Sequence, residues 1–285
     1  MEILNSWKFC IIIYLIFSVI FNQCYKASTK TMKKDGAMTV LIELIASFFC
    51  LFMIPLFKTK FPSDFKVYIF MLIAIIFYTI NNRLSTTSRS GLEASTYSVI
   101  KQLSTVFMII AGLLFFKESF ILNKFIGAFL IVFSNVLVFY RKSIFKINKY
   151  ILFGILANIS LTVALLIDVN YSNEFNLSFY VLLTLLIPSI LIFLVEKILI
   201  RDIFNEFNHS NKLIVILTSI SWAVMMIFKL RAYQLGDVII IAPLCSLTVI
   251  LNIIFGYLIF KEKSNLLKKV IAGILIIIGI ILIKL

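Results

Sequence analysis

The stretch Tyr97–Ala128, YSVIKQLSTVFMIIAGLLFFKESFILNKFIGA, returns 144 residues later as IAPLCSLTVILNIIFGYLIFKEKSNLLKKVIA, from Ile241 to Ala272. At this offset Leu103 meets Leu247, Ile109 meets Ile253, Ile110 meets Ile254 and Gly112 meets Gly256. Phe116-Lys117-Glu118 repeats as Phe260-Lys261-Glu262, and Lys124 and Ala128 recur as Lys268 and Ala272. An apolar chain supplies chance Leu and Ile matches, but not a glycine, a charged triplet and a lysine in ungapped register. The sequence therefore reads as one membrane unit duplicated.

Composition agrees. Of the 285 residues 62% are hydrophobic and 14% charged, with a mean hydropathy of +1.09, against about half and a quarter in soluble domains. Such an excess has no aqueous core to fill, so the chain reads as a polytopic all-α membrane protein. Its net charge of +14 comes mostly from lysines and arginines in short loops between apolar runs. That placement suits anionic lipid headgroups and excludes a nucleic-acid-binding face. Cys10, Cys24, Cys50 and Cys245 show no CxxC spacing and no histidine partner, so they read as small apolar filler.

Apolar runs bounded by charge or turn residues predict ten transmembrane helices: about 9–22, 38–57, 65–82, 93–116, 120–140, 150–167, 177–199, 213–230, 238–260 and 267–283. The first is short enough to pass for a signal peptide. At the repeat offset it falls on the sixth span, so it is read as part of the fold. The halves are 5–141 and 149–285, five spans each. An odd number sends them across the bilayer in opposite directions, an inverted repeat of the kind found in alternating-access carriers. The lysine and arginine count of the loops favours both termini outside.

Lys101 is the most informative residue. It stands eight positions into the fourth span, roughly 12 Å from its start. An ammonium at that depth costs several kcal/mol unless solvated or paired, so it points to a pathway; snorkelling or structural pairing is the alternative. Tyr97, Lys101, Ser104 and Met108 share one helical face, and the equivalent face of the ninth span is Ile241, Cys245, Thr248 and Asn252. Two related helices thus each carry a polar stripe, expected if they flank a cavity; tying helices together is the other reading. Glu43, inside the second span, is expected to pair with Lys101 or to couple a proton, with a boundary position as the alternative. Tyr78, Asn81 and Asn82 end the third span as ligand-binding groups or as helix caps. Gly112 and Gly256 suggest close helix approach, Pro188 and Pro243 suggest kinks, and the FKE triplets mark helix boundaries. His209 reads as a solvated residue in a polar loop. There is no Walker A loop, nucleophile–base pair or metal-ligand spacing, so the chain reads as no enzyme, with no cofactor and no metal.

Two tandem five-helix halves, each ending in F-K-E and an Ala/Gly-containing last helix (FFKESFILNKFIGA and IFKEKSNLLKKVIAG), resemble the drug/metabolite transporter superfamily of EamA-like ten-helix carriers. Tyr78-Thr-Ile-Asn81-Asn82-Arg-Leu and Tyr97-Ser-Val-Ile-Lys101-Gln102-Leu103 are similar, over a shorter stretch, to the Y-x-x-N-N-x-L and Y-x-V-x-K-Q-L helices of the nucleotide-sugar transporter branch. That branch often has a further lysine after K-Q-L, where this chain has Ser104. The resemblance implies a central site between the halves, with Asn81, Asn82, Tyr97, Lys101 and Gln102 as candidate site residues.

The expected function is secondary transport of a small polar metabolite, a nucleotide sugar or related anion. Lys101, Tyr97, Gln102, Asn81, Asn82, Tyr78, Ser104, Thr248 and Asn252 would bind it, and Glu43 would couple a proton. The rivals are an amino-acid or drug exporter of the same superfamily and a non-transporting membrane scaffold or assembly protein. The expected partners are the small-molecule substrate and the lipid bilayer, with no nucleic acid; a homodimer is left open. Richness in Ile, Phe, Asn and Lys hints at an AT-rich genome, and the lack of polar tails in this sequence leans the expectation toward a prokaryotic inner membrane, with Golgi or another endomembrane as the alternative.

Overall fold

The fold is described from a computed structural model, which covers residues 5–29, 32–92, 94–115, 121–139, 148–248, 250–252, 255 and 266–284. Both FKE triplets and Gly256 lie outside these residues. The chain is all helical, with no strand among the described residues. In order the helices are α1 (Trp7–Thr29), α2 (Asp35–Met53), α3 (Phe65–Gly91), α4 (Ala94–Leu114), α5 (Leu122–Phe139), α6 (Lys149–Tyr171), α7 (Leu177–Val195), α8 (Ile200–His209), α9 (Lys212–Leu235), α10 (Val238–Ser246) and α11 (Leu266–Lys284). Single 3₁₀ turns, Ile54–Leu56 and Ser172–Glu174, follow α2 and α6.

Six helical segments are long and apolar enough to cross a bilayer: Trp7–Tyr25, Asp35–Leu56, Phe65–Gly91, Lys149–Glu174, Leu177–Val195 and Lys212–Leu235. Their outer faces carry large apolar side chains in the open, such as Phe48, Phe52, Phe65 and Leu194, each at least 60% exposed. Water would penalise such a surface and lipid would not. The chain is an integral membrane protein.

Local chemistry sets the helix ends. Asp64, Asn148, Asn176 and Asn211 stand at the N-caps of α3, α6, α7 and α9 and accept hydrogen bonds from backbone N–H groups of the first turn. The α2 N-cap is Lys34, whose side chain makes no such bond. Glu206 of α8 does that work instead, its buried carboxylate accepting from the backbone N–H of Lys33 at 3.0 Å and of Lys34 at 2.8 Å. The end of α7 is a Schellman motif: Ile198 N–H donates to Phe193 O and Lys197 N–H to Leu194 O, with Lys197 at φ 50°.

The helix α8 was not expected; the sequence reads there as a polar loop holding His209. It is amphipathic, with Ile203 and Phe207 packed inward against Phe21, Met38 and Ile42 while Ile200 and Phe204 stay exposed. His209 ends it, Nδ1 lying 2.8 Å from Asn205 O. Spans three and eight also run further than expected. α3 continues to Gly91 and α9 to Leu235, because the polar residues taken as boundaries face protein partners.

Packing follows a definite pattern: α1 lies on α9, α3 on α6, α2 on α7, α5 on α11, and α4 on both α6 and α10. The α5–α11 pair is close enough that a Cβ at Gly279 would stand 2.7 Å from Gly127 O. The main core fills the space between α1, α2, α3, α6, α7 and α9 and extends to α4, α5 and α10, with Tyr78, Tyr180, Leu185, Ile227 and Leu230 among its most deeply buried members. Pro243 and the tightened turn after it, Leu247 N–H to Leu244 O at 3.1 Å, interrupt the α10 ladder within its apolar run.

Candidate functional site

A cavity of about 40 Å³ lies among α1, α4, α6, α9 and α10, room for about three waters. Each helix lends it one face. From α4 come Lys101, Gln102, Ser104, Thr105 and Met108, from α6 Leu161 and Leu165, from α9 Lys229 and Tyr233, and from α1 Tyr14. Ala242, Cys245, Ser246 and Thr248 line it on the α10 side. This is where Pro243 disturbs the helix. Irregular backbone at membrane depth is tolerated where it borders a cavity rather than lipid. Ser246 and Thr248 partly satisfy it by donating to the carbonyls of Pro243 and Cys245.

Two ammonium groups face this space. Lys101 sits two turns into α4, and Lys229 lies six residues before the end of α9, about 9 Å along the helix. Both line the same cavity. Neither belongs to an ion pair found among the described residues, which are Lys34–Asp202, Arg83–Glu196 and Lys124–Asp237. None of the lining residues is acidic. The site is thus a chamber of mixed apolar and polar side chains with two basic groups and no carboxylate on its wall, which suits an anion.

Of the residues singled out in the sequence, Lys101, Gln102, Ser104, Met108, Cys245 and Thr248 meet at this cavity. The others are placed elsewhere. Tyr78 donates to Asp168 Oδ2 at 2.5 Å, and Tyr180 donates to the same carboxylate's Oδ1 at 2.6 Å, fastening α3, α6 and α7. Asn81 donates to Asn82 Oδ1, and Asn82 donates to Glu43 Oε1 at 2.6 Å. Glu43 is fully buried, and its Oε2 has no hydrogen-bond partner among the described residues. Its bonded partner is Asn82, and its ion pair with Lys101 is not formed. Beside it Thr86 joins Thr39 and Tyr25 through hydroxyl contacts of 2.9 and 3.0 Å. Tyr97 lies under the Arg89 guanidinium, 4.3 Å from the ring centroid, and Asn252 accepts from Gln23 at 3.1 Å.

Sequence reasoning missed Lys229, Tyr14, Tyr233 and Asp168. Lys229 falls one residue before the end of the expected eighth span, 213–230, where a lysine reads as a boundary charge. The signal that would have found it is the apolar periodicity of Leu230, Ala232 and Tyr233, all buried, which carries the helix past both Lys229 and Arg231. Asp168 stands one residue beyond the expected end of the sixth span, yet is fully buried.

No family model and no curated protein matches this chain. Among solved structures, one described only as "Crystal structure of protein" is similar in fold, with a TM-score of 0.76 over 97% of this chain and 96% of that one at 12% sequence identity. At that identity the likeness extends to the fold alone.

Proposed function

We propose that this chain is a secondary transporter that carries a small anion through the Lys101–Lys229 cavity by alternating access. In this reading the membrane unit has ten spans, α8 being an extra interfacial helix, and consists of inverted halves at 5–141 and 149–285. Helix packing supports the duplication. Advancing each span by five exchanges the α1–α9 pair with the α6–α3 pair, both of which are extensive contacts. The same operation returns α2–α7, α4–α10 and α5–α11 to themselves. A two-fold relation in the membrane plane would produce this pattern.

The observation that carries the functional reading is the pair of lysines. Lys101 comes from the first half and Lys229 from the second, and both open on one cavity that no acid lines. Keeping two cations there costs folding free energy, which an anion arriving from solvent offsets. The cavity has room for only about three waters as it stands, so a metabolite enters when the halves part. This relative motion is what alternating access requires.

The test is a thermal-shift screen of the purified protein against phosphorylated, carboxylated, zwitterionic and cationic metabolites. Anions should raise the unfolding temperature of the wild type and not that of Lys101→Gln or Lys229→Gln. Stabilisation by cationic or neutral amphiphiles alone, unchanged in both variants, would contradict the anion site.

A further inference from the structure

The halves cannot part along their whole contact, because α1 lies extensively on α9, α3 on α6 and α2 on α7, each pair taking one helix from either half. Contact is slight between the α1–α9 pair and the α3–α6 pair. α2 and α7 pack on both pairs and join them on one side. That side is bonded at each end, by Ser178 to Cys50 O and by the Glu206 carboxylate accepting from the N–H groups of Lys33 and Lys34. The cavity lies between the pairs on the other side, where α4 packs on α6 and α10. Tyr14, Lys229 and Tyr233 belong to one wall, Leu161 and Leu165 to the other, and α4 brings Lys101 to the second.

The seam between the pairs is closed by one contact at each end. α1 and α9 run antiparallel: a Cβ at Gly236 would stand 3.3 Å from Trp7, and the Phe21 and Trp222 ring centroids are 5.5 Å apart. Tyr25 and Gln234 therefore stand at opposite ends of their pair. At one end the hydroxyls of Tyr25 and Thr86 lie 3.0 Å apart, tying α1 to α3. Arg89, three residues further along α3, stacks on Tyr25 at 5.2 Å and on Tyr97 of α4 at 4.3 Å. Gln23 adds a bond to Asn252 at the same end. At the other end Gln234 Nε2 donates to Ser172 Oγ at 2.9 Å, tying α9 to the turn after α6. Tyr25, Thr86 and Ser172 are buried. At the 144-residue offset Ser172 and Gln234 correspond to Ser28 and Ser90, each within about one turn of Tyr25 and Thr86. The α1–α3 and α6–α9 bonds are thus equivalent contacts in the proposed duplication.

We propose that these two contacts are the gates of the cavity. Tyr25–Thr86, with Arg89, closes it at one end; Ser172–Gln234 closes it at the other; transport opens them in turn about the α2–α7 side. The inference rests on the anion-carrier reading above. Tyr14 on the cavity wall lies eleven residues before Tyr25 on the same face of α1, about 16 Å, and Leu165 lies seven residues before Ser172, about 10 Å. The chamber is therefore between the gates. With one contact broken the pairs tilt apart at that end, while the other contact and α2–α7 hold. Lys229 is carried by one pair and Lys101 by α4 on the other, so an anion that meets both favours the state with both gates shut.

Cys245 reports on the gates, because it lines the cavity. Full-length protein with Cys10, Cys24 and Cys50 replaced by alanine would be reconstituted in one orientation and labelled with a membrane-impermeant maleimide from either side. Tyr25→Phe keeps the ring under Arg89 and removes only the hydroxyl. It should speed labelling from the end where α1 and α3 finish by roughly two- to tenfold, the population shift that one buried hydrogen bond supports. Labelling from the other side should stay unchanged. Ser172→Ala should do the reverse. Tyr25→Phe should add nothing on a Thr86→Val background, since both remove the same bond. Saturating sulfate should slow labelling from both sides, and should fail to do so in Lys229→Gln.

Equal acceleration from both sides in either variant would overturn the gates. So would unchanged rates in variants that unfold at the parent temperature, or a Cys245 that no variant exposes. If anion flux persists alongside any of these results, the carrier reading stands without the gates. Side-specific labelling that sulfate never slows, in a protein that moves no anion, would keep the gates and sink the anion-carrier reading.

Discussion

Replacing Lys101 by methionine should make the empty protein more stable while removing its response to anions. The ammonium sits two turns inside α4 without an ion-pair partner among the described residues. A lysine at the centre of a spanning helix costs about 2.5–3.5 kcal/mol on insertion scales. Access of water to the cavity would lower this cost, and Lys229 on the same wall raises it. Methionine matches the side chain's length and carries no charge to desolvate, so the expected gain is about 1–3 kcal/mol. At about 2–4 °C per kcal/mol for a chain somewhat smaller than this one, the unfolding temperature rises by roughly 2–12 °C. A thiol-reactive fluorophore can read it without added labels, since Cys10 and Cys50 are fully buried in the folded state. A fall in unfolding temperature would refute the reasoning, because it would mean that Lys101 satisfies a structural partner instead of waiting for a ligand.

Asn176→Asp, which capping rules alone would tolerate, should lower stability by about 2–4 kcal/mol in the same assay. Asn176 caps α7 but also donates its amide to the carbonyls of Ile54 and Phe57, both at 3.0 Å, and a carboxylate would face those oxygens without a proton to offer; an unchanged unfolding temperature would contradict this geometry. Lys197→Gly should raise stability by about 0.5–1 kcal/mol, since φ 50° costs a side chain and not a glycine. A loss there would show that the Lys197 side chain holds α8 in place.

Much of the fold is legible in the sequence because bilayer chemistry is blunt: apolar runs of about twenty residues announce themselves, and Lys101 stands out because one charge interrupts such a run. What hides is polarity that the protein satisfies internally. α3 was expected to end at Asn82, yet Asn82, Thr86 and Ser88 are buried and bonded to Glu43, Tyr25 and Tyr150 O, so the helix runs on. Sequence can show that Asn82 is polar, but not that Glu43 stands opposite. Lys229 and Asp168 escaped for the same reason: each lies beside an apparent span end that tertiary contacts extend. α8 is a different kind of miss. Ile200, Ile203, Phe204 and Phe207 fall at helical spacing, a legible pattern too short to compete with the charged residues between them.

Counterflow in proteoliposomes tests the central claim most directly. Vesicles carrying the purified protein would be loaded with a nucleoside monophosphate and given the labelled nucleotide sugar outside, with a hexose phosphate and a dicarboxylate tried in parallel. The expected result is protein-dependent accumulation of at least one of these anions by the wild type, abolished in both Lys101→Ala and Lys229→Ala although each variant inserts and remains monodisperse. Uptake equal to wild type in both variants, or no flux of any anion through well-folded protein, would contradict transport through the two-lysine cavity.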